Sequence, residues 1–231
     1  MVRAVFLVFG LMLAISLLSA SPSQAQQWVL GNGFSLTSNE SGCWRLGCIG
    51  GSGEFTPYNT TFSPCEGISG WALDSDPDKA GDVIKNTGET PNDSYNSDIR
   101  AGQICLHASQ LGKRTAVRWV APVSGDVKID AAFSGQGFYT LADVQVIKNG
   151  RDSLKSFRIS GFVGMGANQD QRTGESPDGE YSGVVRVNSG DTVDFTIGCV
   201  DKAQRPEGLA DATGHVAIAV AIQVVESRRG G

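Results

Sequence analysis

The chain has 231 residues, 40% hydrophobic and 19% charged, with 30 glycines and a formal net charge of −5. That apolar share excludes a disordered chain, and glycine at about twice its average usage without a three-residue period indicates tight turns, not collagen. The acidic balance leaves no broad basic surface, so nucleic acid is excluded as a partner class.

In chain order, Arg3 precedes the apolar run Ala4–Leu18, and small residues follow at Ser23 and Ala25. This is the pattern of a secretory signal over residues 1–25, with cleavage expected after Ala25. The run is shorter than the roughly 20 residues a spanning helix needs. No membrane span is therefore expected after cleavage, and the destination expected is secreted, extracellular or periplasmic. Residues 26–101 are turn-rich, with Gly31–Gly33, Gly50–Gly53, Ser63-Pro64 and Asp76-Pro77. Short strands are expected there at Phe34–Thr37 and around Val83–Ile84.

Residues 102–226 carry a cleaner signal. Thr115–Val120 predicts a strand, and in Asp126–Phe133 the residues Val127, Ile129, Ala131 and Phe133 alternate with polar or small ones. A period of two marks a half-buried antiparallel strand. Ala142–Ile147 and Leu154–Ile159 flank the hairpin signal Asn149-Gly150. Residues 161–180 are expected as a loop, Gly183–Val187 and Thr192–Val200 as a strand pair, and His215–Val225 as the last strand. The segment 227–231 is a tail. Strands at this spacing predict an all-β fold, an antiparallel β-sandwich built as one domain over residues 26–226.

Several segments together carry a family resemblance: Gly42–Gly47, Ile84–Gly88, Gly102–His107, Ala116–Gly125, Ala142–Gly150 and Gly190–Phe195. In that order they resemble a bacterial exported jelly-roll module found in surface and matrix proteins and similar to carbohydrate-binding domains. The resemblance implies a jelly-roll-like arrangement of the sandwich. The chain departs from that pattern in its five cysteines and in lacking a C-terminal apolar anchor, from which release is expected.

Export makes disulfides the expected state of Cys43, Cys48, Cys65, Cys105 and Cys199. Five is odd, so at most two bridges form. A local Cys43–Cys48 pair is expected, with Cys65, Cys105 and Cys199 competing for the second. Sugar binding needs exposed rings against which a pyranose face can stack. Trp44, Trp71 and Tyr139 lie in loop-rich sequence and are the candidate ligand-binding residues, whereas Trp119 reads as core. Asp74, Asp76 and Asp78 set three carboxylates at alternate positions, with Asp82 close behind, as a structural calcium would use. The EF-hand pattern fails at Lys79 and Lys85. Asp194, Asp201 and Asp211 form a second, weaker set for an ion. No other cofactor is expected.

His107 and His215 are the only groups that titrate near neutrality by nature. Neither belongs to a nucleophile elbow or an H-E-x-x-H pattern, so no catalytic residue is assigned. The function expected is a secreted, non-catalytic binder of cell-surface or matrix polysaccharide. The rivals are a structural or adhesive matrix protein, and a polysaccharide-cleaving enzyme. The last requires two carboxylates, or a histidine and a carboxylate, to converge in one cleft.

Overall fold

The computed structural model describes residues 26–40, 42–73, 81–88, 99–109, 111–136, 140–165, 168–200 and 214–225. Two antiparallel sheets pack face to face as a jelly-roll-like β-sandwich. The eight-stranded sheet runs in spatial order β13 (Asp178–Val187), β9 (Gly125–Gln136), β15 (His215–Val224), β7 (Ile104–His107), β6 (Asp82–Asn86), β5 (Ile68–Ala72) and β4 (Thr60–Cys65). Its remaining strand, β1 (Gln27–Val29), pairs with the far end of β15. The seven-stranded sheet runs β12 (Asn168–Ser176), β11 (Asp152–Met165), β10 (Leu141–Lys148), β14 (Thr192–Cys199), β8 (Arg114–Val120), β2 (Trp44–Ile49) and β3 (Phe55–Pro57). A single helical turn, α1 (Leu30–Gly33), follows β1. No helix among the described residues is long and apolar enough to cross a membrane.

The alternation read from the sequence sets the inner face. Val127, Ile129, Ala131 and Phe133 of β9 and Val216, Ile218, Val220 and Ile222 of β15 enter the core. They meet Val117, Trp119, Val144, Val146, Phe195 and Ile197 of the opposing sheet. Trp119 is fully enclosed, and the half-buried Trp28 ring rests against it at 5.3 Å between centroids. The Asn149-Gly150 hairpin forms as expected: Lys148 pairs with Asp152 across a three-residue connection, and Asn149 and Gly150 have φ of 52° and 67°, the left-handed region that asparagine and glycine tolerate.

Three expectations need correction. Residues 34–37 are not a strand but the loop that leaves α1. The span 161–180 is not a loop: β11 runs to Met165, β12 returns, and β13 begins at Asp178. Residues 171–175 are all exposed, so the ribbon lacks the one-sided apolar pattern that identifies a strand. The cysteines also behave differently, because no disulfide joins them. Cys43 sits in the turn just before β2 and Cys48 is the next-to-last residue of that strand, so the extended residues between them hold the two well beyond the roughly 7 Å a bridge tolerates. Cys48 and Cys105 are fully buried, and burial, with Asp82 adding to it, raises the Cys105 thiol pKa.

Glycine is obligatory where the two sheets meet. A β-carbon on Gly135 of β9 would stand 1.9 Å from the carbonyl oxygen of Gly161 in β11. Gly161 itself has φ of 121°. Backbone therefore touches backbone at this corner, with no room for any side chain.

Candidate functional site

The outward face of the eight-stranded sheet carries two features, both placed by strand register. The first is a groove of about 1050 Å³. Its floor is a lattice of small side chains, because Ala132 of β9 pairs with Ala219 of β15, Ser134 with Ala217, and Asp130 with Ala221. On the other side of β9, Glu180, Ser182 and Asp178 of β13 pair with Ala132, Asp130 and Ser134. Odd-numbered positions of β15 face outward since the even ones fill the core; Ala219 is exposed and Ala221 half-buried, whereas Ala217 is covered by the small apolar cluster of Ile68, Ile84, Ile99 and Cys105. Arg172 of β12, bound to Asp178, stands at one side of the groove, and Gly31, Gly102 and Gln103 stand at the other. Lys128 donates to both Asp130 and Ser182. The first of these bonds holds the Asp130 carboxyl below its ordinary range.

The second feature lies two residues beyond Ala217 along the same face. Asp82 of β6 pairs with His107 of β7, and His107 pairs with His215 of β15. Gln136 of β9 stands across from His215 on its other side. A row of polar side chains thus crosses four neighbouring strands on one face. Asp82, His215 and Gln136 are 4%, 7% and 3% exposed. His107 Nδ1 lies 3.5 Å from Asp82 Oδ2, and the two imidazoles stack at 4.8 Å with planes 23° apart. Burial, with His107 acting in the same direction, pushes His215 down to about 3. The histidine stays neutral at physiological pH.

The polar row is braced from behind. Thr115 Oγ1 donates to the His107 carbonyl at 2.6 Å, and Thr140 Oγ1 donates to the carbonyls of Gln136 and His215 at 3.0 and 3.3 Å. Gly81 precedes Asp82 with φ of 79°, and a β-carbon there would lie 2.4 Å from Thr115 Oγ1. A β-carbon on Gly214, just before His215, would lie 2.3 Å from Thr140 Oγ1.

The residues singled out from sequence fare unevenly. Trp44 and Trp71 are corrected to core residues, 5% and 7% exposed. The Trp44 ring packs toward Phe195 and against Gly33, while Trp71 Nε1 donates to the Ser35 carbonyl at 2.7 Å. Neither ring offers a face to a sugar. Asp194 is fully buried, and both its carboxylate oxygens accept hydrogen bonds from Arg118, at 2.6 and 2.8 Å. Its negative charge is therefore matched by a guanidinium, not held open for an ion. Tyr139, Asp74, Asp76, Asp78, Asp201 and Asp211 lie outside the described residues. Sequence reasoning did not bring Asp82, His107 and His215 together. The only signal for that trio was the placement of two scarce histidines at strand ends.

No protein-family model matches the chain, and no curated protein does. Among solved structures, it is similar to the CBM36-1 domain of a multidomain xylanase from the hindgut metagenome of Trinervitermes trinervoides. That likeness has 11% identity and a TM-score of 0.33, and covers 64% of this chain and 98% of that one. A family 35 carbohydrate-binding module from Clostridium thermocellum is similar at 16% identity and a TM-score of 0.30, over 53% of this chain and 78% of that one. Pika GITRL is similar at 15% identity and a TM-score of 0.25, over 48% and 78% of the two chains.

Proposed function

We propose that this chain is a binding protein that holds a neutral polysaccharide along the groove on the outward face of the eight-stranded sheet. The observation that carries the reading is the composition of that groove. An alanine and serine floor lets a chain of sugar rings approach the sheet, and Asp130, Glu180, Ser182 and Gln103 at its margins can take hydroxyl groups. Carboxylates accept from sugar hydroxyls with charge-assisted strength, and the same carboxylates repel acidic polymers. With Trp44 and Trp71 in the core, the reading rests on hydrogen bonding and close fit without those two rings. The adhesive reading requires a broad exposed apolar patch. Among the described residues the exposed large apolar side chains are Leu36, Leu111, Val184 and Val225, too few to favour it.

Calorimetric titration with soluble laminarin, arabinoxylan and galactomannan tests the proposal. One of these neutral polymers should bind, and Ala219→Trp should abolish binding by filling the floor. Glu180→Ala should weaken it about tenfold, the loss expected for one charge-assisted hydrogen bond. Silence across the panel, or binding untouched by Ala219→Trp, turns the assignment to a structural protein.

A further inference from the structure

We propose that Asp82, His107 and His215 form a binding site for a divalent transition metal of the zinc class, clamping β6, β7 and β15 together. One donor atom from each residue lies within 4.8 Å of the other two. In a four-coordinate zinc site with ligands at about 2.0–2.1 Å, neighbouring donors stand about 3.3 Å apart. Closing the trio onto an ion therefore needs side-chain movements of only about 1.5 Å, by rotation of two imidazoles and one carboxylate.

The ligand set selects the metal. Two imidazoles and one carboxylate suit zinc, nickel, copper or iron, while calcium and magnesium want oxygen ligands throughout. The register supplies the geometry, since the three residues are consecutive partners across adjacent strands and project to the same face. Their backbones are held by the Thr115 and Thr140 hydroxyls and by the glycines before Asp82 and His215. Such bracing of ligands is what a metal site uses to set orientation. His107 leaves 12% of its side chain at the surface, giving the ion a way in and leaving the fourth position to water. This site is separate from the groove residues, and its failure would not touch the polysaccharide reading.

Histidine-selective NMR makes the test direct, because the chain has only two histidines. The protein, free of any polyhistidine tag and of chelator, is labelled at its imidazole nitrogens and titrated with Zn²⁺. Both imidazole signal sets should shift together and saturate at one equivalent. Zinc a hundredfold above its Kd should raise Tm by about 5–10 °C, reversibly with chelator. His107→Gln and His215→Gln, checked for folding by circular dichroism, should each weaken zinc affinity beyond the roughly 10–100-fold cost of losing an outer partner. Imidazole signals that stay fixed while zinc binds would place the ion on cysteines and overturn the proposal. Absence of stoichiometric binding in the unaltered chain would overturn it too, and neither result depends on a variant that folds.

Discussion

Asp194→Leu probes a fully buried charge that the fold neutralises with a planar cation. Asp194 lies under Arg118 on the outward face of the seven-stranded sheet, accepting from Nε at 2.6 Å and Nη2 at 2.8 Å. Arg118 has Arg45 as its partner across the β2–β8 ladder, and its guanidinium carbon stands 4.1 Å over the Phe55 ring. Removing the carboxylate deletes two charge-assisted bonds and leaves two arginines directly opposite one another. Breaking such a pair costs about 3–5 kcal/mol. Arg118 keeps the Phe55 ring and 17% of its side chain in solvent, so the lower end applies, about 3 kcal/mol. At about 2–4 °C per kcal/mol for a domain of this size, Tm should fall by about 6–12 °C. The double variant Asp194→Leu with Arg118→Met replaces the pair by apolar groups of similar volume and should return to within about 1 kcal/mol of the parent. Urea denaturation of the parent, both single variants and the double variant completes the cycle. A loss below about 1 kcal/mol in Asp194→Leu, or a double variant equal to the sum of the singles, refutes the reasoning.

Two further outcomes follow from packing. Gly135→Ala forces a β-carbon to 1.9 Å from a carbonyl oxygen that cannot turn aside, so it should cost about 3 kcal/mol or more. Gly51→Ala, with nothing within 4 Å, should leave Tm nearly unchanged, and equal melting of the two variants would contradict the close approach of the sheets. Protein purified without reductant and then denatured should show five reactive thiols with Ellman's reagent. In the native state Cys48 and Cys105 should stay silent while the half-buried Cys43, Cys65 and Cys199 react. A denatured count below five would mean that a bridge exists.

Most strands after residue 102 were legible, and the alternation of core-facing with small or polar residues survives in the letters of β9 and β15. β2 was not, because four of its last five residues and Trp44 at its start are all buried. A strand covered on both faces loses its polar alternation. The β11–β12 ribbon failed for the opposite reason, being exposed on both faces along much of β12. Trp44 and Trp71 were misplaced because polar, Gly-rich neighbours were read as loop, whereas those neighbours are turns between short strands that carry the rings inward. Asp82, His107 and His215 are distant in sequence and meet only through the pairing order β6, β7, β15. No spacing along a chain encodes a row across a sheet.

That pairing order has a kinetic consequence. β15 sits in the middle of its sheet, with β9 along one edge and both β7 and β1 along the other. Until residues 215–224 arrive, the remaining strands of that layer are the β13–β9 pair, the β7–β6–β5–β4 set and the lone β1, unjoined and with open edges. Assembly of that layer therefore waits for residues 215–224, and contacts of such long sequence separation are slow to form. A nascent molecule would remain uncommitted until then, and cutting back β15 should yield an aggregation-prone fragment instead of a smaller folded protein.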